Sequence, residues 1–376
     1  MTRLQMFSII AMALLVPAAR ANDCLVFFGT YSDPSSHGIY VSRLNMDSGN
    51  LSPPELAAAA DSPGYLAVSA DSRFLYAVTG GDTKDWGGVD AFSIDRKTGK
   101  LTLLDRKSAE GADTCYVGID ASDQAVVVAN YGSGSVKSFH LNPDGTLTDG
   151  TVVQHHGSSV NPRRQEGPHP HCSVAAPAGR FDLCCDLGLD KVMVYRVNPA
   201  NAALTPNNPP FASIAPGSGP RHIAFSPDGK NACVVSEMAC TVTVFDWDGI
   251  AGRLKEHESL SLLPPGEYQK SFTAAEIAYR PDGRFVYTTI RGHNSVSVLA
   301  VNGKSGNLSL VQNLPCGGDL PRGMDIDPSG RWLIVGNQKS KTVTVFGINT
   351  ETGLLKPTGQ VLSAGVPVDV KFAAAE

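Results

Sequence analysis

Seven short segments of this 376-residue chain share one pattern, an apolar and mostly β-branched opening that alternates and ends in Asn or Asp. They are IYVSRLN (39–45), VDAFSID (89–95), VKSFHLN (136–142), VMVYRVN (192–198), VTVFDWD (242–248), VSVLAVN (296–302) and VTVFGIN (343–349). Self-similarity of this kind marks a repeat architecture, in which each unit buries its apolar face only against its neighbours. A tight turn recurs in step with them: SADSR (69–73), DASDQ (120–124), APAGR (176–180), SPDGK (226–230), RPDGR (280–284) and DPSGR (327–331). Pro presets φ, and Gly or Asp accepts the unusual φ of such turns. The spacing of about fifty residues suits a four-stranded propeller blade with loops.

Within one repeat the expected order is an inner strand, the Pro-Asp-Gly turn, a second strand, the patterned third strand and an outer strand. The outer strand follows a Thr-Gly turn, as in KTGKLTLL (97–104) and ETGLLKP (351–357). Period-two alternation supports strands throughout, and helical periodicity is absent. Six repeats are complete. The seventh is split: VPVDVKF (366–372) has room only to be an inner strand, and residues 24–52 hold the other three, the last beginning at Leu51. Joining the two ends closes a ring and removes the exposed edges of an open array. The expected fold is all-β: a seven-bladed β-propeller of four-stranded antiparallel blades, closed by N-terminal strands pairing with the C-terminal strand.

Met1 to Ala21 reads as a secretory signal, with Arg3, an apolar run over 7–16 and the small-x-small site Ala19-Arg20-Ala21. Residues 22–376 then form a single domain, exported to the periplasm or secreted, with no membrane association after cleavage. The composition, 42% hydrophobic and 18% charged, is that of an ordinary globular protein. The net charge of −5 without a basic stripe argues against nucleic acid. The eight cysteines lack a CxxC pair and are expected mainly to pack as small apolar groups.

Antiparallel blades send their short turns to one face and their irregular loops to the other. HHGSSVNPRRQEGPHPH (155–171), LLPPGEYQKSF (262–272) and GGDTKDWGG (80–88) share the second face. Long loops on a rigid scaffold mark that face as the functional one. Two aligned positions meet there at the channel mouth. The first opens the inner strand and reads Gly64, Cys115, His171, Arg221, Ala275, Arg322 and Val368; the second ends the second strand and reads Tyr31, Gly80, Tyr131, Leu187, Glu237, Arg291 and Gln338. One arc therefore gathers His171, Arg221, Glu237, Arg291, Arg322 and Gln338, which the repeat itself does not require. Arginines around a mouth favour an anionic ligand, since a guanidinium grips carboxylate or phosphate through two N–H groups. Glu237 and His171 are candidate acid–base groups. His169 shares the PHPH segment with His171, and register does not separate them. His222 is expected to face the other side of its strand and pack, and His140, His155, His156 and His257 to be solvated.

Taken together, FFGTYSDPSSHGIYVSRL, GPHPHCSVAAPAGRF, GSGPRHIAFSPDGK, AAEIAYRPDGRFVYTTIRGHNSVSV and PRGMDIDPSGRWLIVGNQKSKTVTVF resemble the lactonase family of seven-bladed propellers. That family includes a bacterial 6-phosphogluconolactonase and a fungal 3-carboxy-cis,cis-muconate cyclase. The resemblance implies a metal- and cofactor-independent site of His, Arg and Glu. It assigns catalytic positions to His171 (or His169), Arg221, Glu237 and Arg291; the register of the repeat places Arg322, Gln338, Tyr131 and Tyr31, with His169, around the substrate.

The expected function is a lactonase-type hydrolase that opens a sugar-derived or carboxylated lactone, with a small anionic lactone or carboxylate as its partner. A Gly-x-Ser-x-Gly elbow is absent, which argues against a serine nucleophile. Two other readings fit the same residues: a cycloisomerase that closes a lactone, and a non-catalytic exported propeller that binds a protein or glycan. A third possibility for the arginines alone is a ring of salt bridges tying the blades together.

Overall fold

A computed structural model describes residues 23–80, 86–120 and 124–376. The expected signal segment, residues 1–21, lies outside the described residues, as do 81–85 of the Trp86 loop and 121–123 of the second tight turn. Among the described residues every helix or strand element is a β-strand, and the strands form seven four-stranded antiparallel sheets. Blade 1 spans residues 66–108, blade 2 114–154, blade 3 170–213, blade 4 220–261, blade 5 273–315 and blade 6 321–363.

Blade 7 is the split one. Its inner strand, Val366–Ala374, pairs with Asp23–Tyr31, which is followed by Gly38–Asn45 and Glu55–Ala59. Cys24 lies opposite Ala374 and Phe28 opposite Val370, so the closure runs the length of the strand. The outer strand begins later than Leu51. Leu51 makes only an isolated bridge to Leu44, and Pro53 and Pro54, which have no N–H for a ladder, delay the strand to Glu55.

The recurring pattern now has physical causes. The fourth residue of the patterned segment is a large buried side chain in blades 1 to 6: Phe92, Phe139, Tyr195, Phe245, Leu299 and Phe346. Each packs between neighbouring sheets and stabilises the ring by about 1.5–3 kcal/mol. The closing Asn or Asp caps the turn to the outer strand. Asn45, Asp95, Asn198, Asp248, Asn302 and Asn349 each accept a backbone N–H two or three residues on through a side-chain oxygen. Outer strands such as Leu101–Ser108 alternate toward solvent, whereas second strands such as Ala125–Asn130 are buried throughout.

In blades 2 to 7 the pairing of the inner strand slips by one residue near its start, and the residues left over are Cys115, His171, Arg221, the Ala275–Glu276 pair, Arg322 and Val368. A β-bulge of this kind bends the strand and re-aims its side chains. The first aligned position of the repeat is thus the bulge position in these six blades.

Candidate functional site

Glu237 stands at the centre of the candidate site, immediately after the second strand of blade 4, Asn231–Ser236. Its carboxylate meets three guanidiniums. Arg291 Nη2, from the end of the second strand of blade 5, lies 2.8 Å from Oε2. Arg221 Nε, from the bulge of blade 4, lies 3.2 Å from the same oxygen. Arg164 Nη2, from the loop between blades 2 and 3, lies 2.7 Å from Oε1. Glu237, Arg221 and Arg291 are all buried. Burial alone would raise the Glu237 pKa, but Arg291, Arg221, His171 and Arg164 hold it well below the usual carboxylate range. Glu237 is therefore an ionised carboxylate of low basicity. Burial pulls Arg291 down to about 10, partly offset by Glu237, so it too stays charged.

His171 occupies the bulge of blade 3 and is buried. Its ring meets Tyr131 edge-on at 5.6 Å and His222 at 5.2 Å. Burial, then the positive charge of Arg221, push its pKa well below that of a free imidazole, so the ring is neutral at pH 7. His169 is one layer out, stacked on Tyr131 at 4.4 Å, with Nδ1 2.9 Å from the Tyr131 carbonyl and Nε2 3.4 Å from Glu166. The two histidines that register leaves equivalent differ in this way: His171 belongs to the ring and His169 to its rim.

Arg322 opens blade 6 and lies over the Tyr31 ring, 5.3 Å from its centroid. Among the described residues no carboxylate lies within ion-pair distance of it, which leaves an uncompensated cation beside the Glu237 cluster. Gln338 follows the second strand of the same blade; its Oε1 is buried without a hydrogen-bond partner. Arg221 Nε and Arg291 Nε are likewise buried donors without a hydrogen-bond partner, ion pairing notwithstanding. Orphaned buried polar atoms call for an explanation, and a polar ligand or ordered water at this mouth supplies one. Four guanidiniums around one buried carboxylate give the site a positive field suited to an anion.

The structure thus brings together His171, Arg221, Glu237, Arg291, Tyr131 and His169, with Arg322 and the Tyr31 ring it covers within electrostatic reach of Glu237; Gln338 is placed at the end of the second strand of blade 6, and the site gains residues that register and resemblance do not single out. Arg164 was invisible to register because it sits in an irregular loop. Register points to Ala275, whereas the bulge of blade 5 leaves both Ala275 and Glu276 unpaired. The expectation that His222 faces away from Arg221 is corrected: the bulge between Pro220 and His222 breaks the alternation, and Arg221 Nη1 lies 3.2 Å from His222 Nε2. His222 is buried among Tyr65, Tyr116 and His171, at ring distances of 5.5, 5.2 and 5.2 Å. The expectation of a solvated His155 is also corrected. It is buried, with Nδ1 2.6 Å from Asp186 and Nε2 against the Tyr195 hydroxyl, and it pins the base of the loop that carries Arg164. Below this layer, Asp325, Asp369 and Lys371 line the inner strands of blades 6 and 7, with Lys371 Nζ 2.9 Å from Asp369.

Among the described residues no three His, Cys, Asp or Glu side chains converge closely enough to hold a metal ion. All eight cysteines carry free thiols, and all but Cys115 are buried. A wider cleft, about 820 Å³, lies on the opposite face between blades 4 and 5. Its charges satisfy one another, Asp228 with Lys230 at 3.0 Å and Asp282 with Arg284 at 2.7 Å. A smaller version, about 290 Å³, recurs between blades 1 and 2, as wedge-shaped packing of sheets produces without any ligand.

Comparison with known proteins agrees with this fold. Residues 25–372 match the family model "Lactonase, 7-bladed beta-propeller". A 6-phosphogluconolactonase of Bacillus subtilis is 35% identical over 346 residues, covering 92% of this chain and 97% of the relative. The solved structure of a putative 6-phosphogluconolactonase from Bacteroides fragilis superposes with a TM-score of 0.88 at 32% identity, over 95% of this chain and 99% of that one. A periplasmic gluconolactonase of Pseudomonas aeruginosa does so with a TM-score of 0.88 at 33% identity, over 94% of this chain and all of that one. The chain belongs to the lactonase family of seven-bladed β-propellers.

Proposed function

We propose that this protein is an exported lactone hydrolase, and that it opens an anionic, sugar-derived lactone of the 6-phosphogluconolactone class at the Glu237–arginine mouth. The observation that carries this reading is the charge count. Arg164, Arg221 and Arg291 share one carboxylate, while Arg322 has no anion of its own. A substrate phosphate or carboxylate completes that count. The names of the relatives, 6-phosphogluconolactonase and gluconolactonase, point to the same chemistry. Export is supported by the 1–21 segment and by the likeness to a periplasmic enzyme.

In this reading Arg322 holds the anionic group and Arg221 and Arg291 face the lactone carbonyl. Neutral His171 takes a proton from water as its oxygen attacks the carbonyl carbon. The oxyanion that forms is stabilised by the guanidiniums, by about 3–4 kcal/mol per well-placed donor. Collapse re-forms the carbonyl and breaks the bond to the ring oxygen, which recovers the proton from His171 and leaves as a hydroxyl. Glu237 orients the arginines and takes no proton, because its low basicity gives little driving force.

The test is turnover by the purified mature protein, with acid release followed in a pH-stat on gluconolactone and its 6-phosphate and ultraviolet absorbance followed on carboxymuconate. Release of acid with preference for the phosphorylated lactone supports the reading. Conversion of carboxymuconate alone makes the protein a cycloisomerase, and turnover of neither makes it a binding module.

A further inference from the structure

Arg221 is held from above by Glu237, and from below by a pair that the proposed chemistry does not use. We propose that Glu276 and His222 form a buried positioning pair that fixes the Arg221 guanidinium for its work at the lactone carbonyl, an inference that rests on the lactonase reading given above.

The geometry runs in one direction. His222 Nδ1 lies 2.8 Å from Glu276 Oε1. Oε1 already accepts the Ile277 N–H, which marks it as an acceptor oxygen, so Nδ1 carries the hydrogen and donates it. The neutral tautomer then leaves Nε2 as the ring's acceptor, and Arg221 Nη1, which only donates, lies against the imidazole ring, 3.2 Å from Nε2 and 3.4 Å from Nδ1. The same Nη1 donates to the Ala275 carbonyl. Both supports come from one irregularity: in the blade 5 bulge, Ala275 and Glu276 together face Thr289, which turns the Ala275 carbonyl and the Glu276 side chain toward blade 4. Glu276 is itself fixed, since Oε1 accepts the Ile277 N–H at 3.1 Å and its own N–H donates to Thr289 Oγ1 at 3.0 Å. Tyr65 and Tyr116 stand edge-on against the His222 ring and keep it from turning.

The repeat does not demand this arrangement. The residues that follow the bulge in blades 2, 3 and 6 are Tyr116, Cys172 and Gly323, none of which pairs a carboxylate with an imidazole. A mere staple between blades 4 and 5 would need no Arg221 contact. The chain Glu276–His222–Arg221–Glu237 instead grips the guanidinium on two sides and sets its plane. Pre-organisation of a charged donor is worth most where charge develops during the reaction.

The test is a double-mutant cycle of His222→Phe and Arg221→Ala, with kcat and KM on gluconolactone 6-phosphate and thermal melting of every variant. Phe keeps the ring packed between Tyr65 and Tyr116 but removes the acceptor. We expect His222→Phe to lower kcat about tenfold or more with KM changed less than threefold, and to have less than a twofold effect in the Arg221→Ala background. Glu276→Gln, whose amide oxygen still accepts from Nδ1, should restore most of the activity that Glu276→Ala loses. Equal effects of His222→Phe in both backgrounds, or no effect at all, overturn the proposal. A second readout needs no turnover. In ¹⁵N-histidine-labelled protein, His222 should be protonated at Nδ1 and bare at Nε2; the opposite tautomer overturns the proposal. If wild type hydrolyses no lactone, the functional reading fails and the tautomer measurement still judges the pair.

Discussion

Arg221 and His222 are consecutive in sequence yet act on the same side of their strand, with Arg221 Nη1 3.2 Å from His222 Nε2. A regular strand would send them to opposite faces. The bulge between Pro220 and His222 lets one short segment supply both a charged group and its support.

Glu237 is the hub of the site, and its loss should be felt in stability as well as activity. Glu237→Ala leaves Arg164, Arg221 and Arg291 without their shared anion. Removing one partner of a buried ion network costs about 3–5 kcal/mol. The expected outcome is a melting temperature several degrees lower and lactonase activity near background. Arg164→Ala, whose side chain is partly exposed, should cost less than about 1 kcal/mol.

Arg322 is expected to set the preference for charge. Its guanidinium lies over the Tyr31 ring, and among the described residues no carboxylate is within ion-pair distance of it. A charge-assisted hydrogen bond to substrate contributes about 1.5–3 kcal/mol. Arg322→Ala should therefore raise KM for gluconolactone 6-phosphate roughly tenfold to a hundredfold. KM for uncharged gluconolactone should change less than about threefold, since no anion is lost. Steady-state kinetics on the two lactones checks this.

His171 predicts the acid side of the activity profile. Burial and Arg221 depress its pKa well below the 6.5 of a free imidazole, so the neutral ring persists as pH falls from 8 through that value. kcat/KM on a lactone should stay level to about pH 6.5 and fall only below it, where the base becomes protonated. His171→Gln should lose that limb along with most of the rate. The same depression contributes stability above the unfolded pKa, and that stability is lost as pH falls toward the folded value, because the unfolded chain then binds the extra proton.

Asp182 has the opposite sign. It is buried in blade 3 beneath Ser173, and burial raises its pKa from 3.8 to about 7. The folded state therefore binds the extra proton between those values, and the stability this gives is lost as pH rises through about 7. A shift of this size corresponds to at most about 4 kcal/mol. Asp182→Asn should raise the melting temperature at pH 8 and leave it nearly unchanged near pH 4. Melting curves of the two proteins across that range decide it.

Much of this was legible in the sequence because the repeat reports its own exceptions. The large residue at Phe245 and the closing Asp248 recur for packing and turn capping, so they locate the strands in every blade. Arg221, Glu237 and Arg291 stand out because most of their equivalents in the other blades are uncharged, among them Gly64, Cys115, Ala275, Val368, Gly80 and Leu187. What remained hidden depends on irregular backbone. Arg164 lies in a loop without a register, and its reach to Glu237 depends on how that loop folds over His155. His222 and Glu276 were hidden by the bulge, because period-two reasoning assigns the wrong face to the residue after it. His155 reads as loop polarity until Asp186 and Tyr195 are seen to enclose it.

The most direct measurement of the central claim is pH-stat hydrolysis of gluconolactone 6-phosphate by wild type, Arg221→Ala and Arg291→Ala, with melting curves taken alongside. The account predicts that kcat/KM falls about a hundredfold or more in each variant, the loss expected when a donor to a developing oxyanion is removed, while the protein remains folded. Folded variants that retain kcat/KM within twofold of wild type would contradict it.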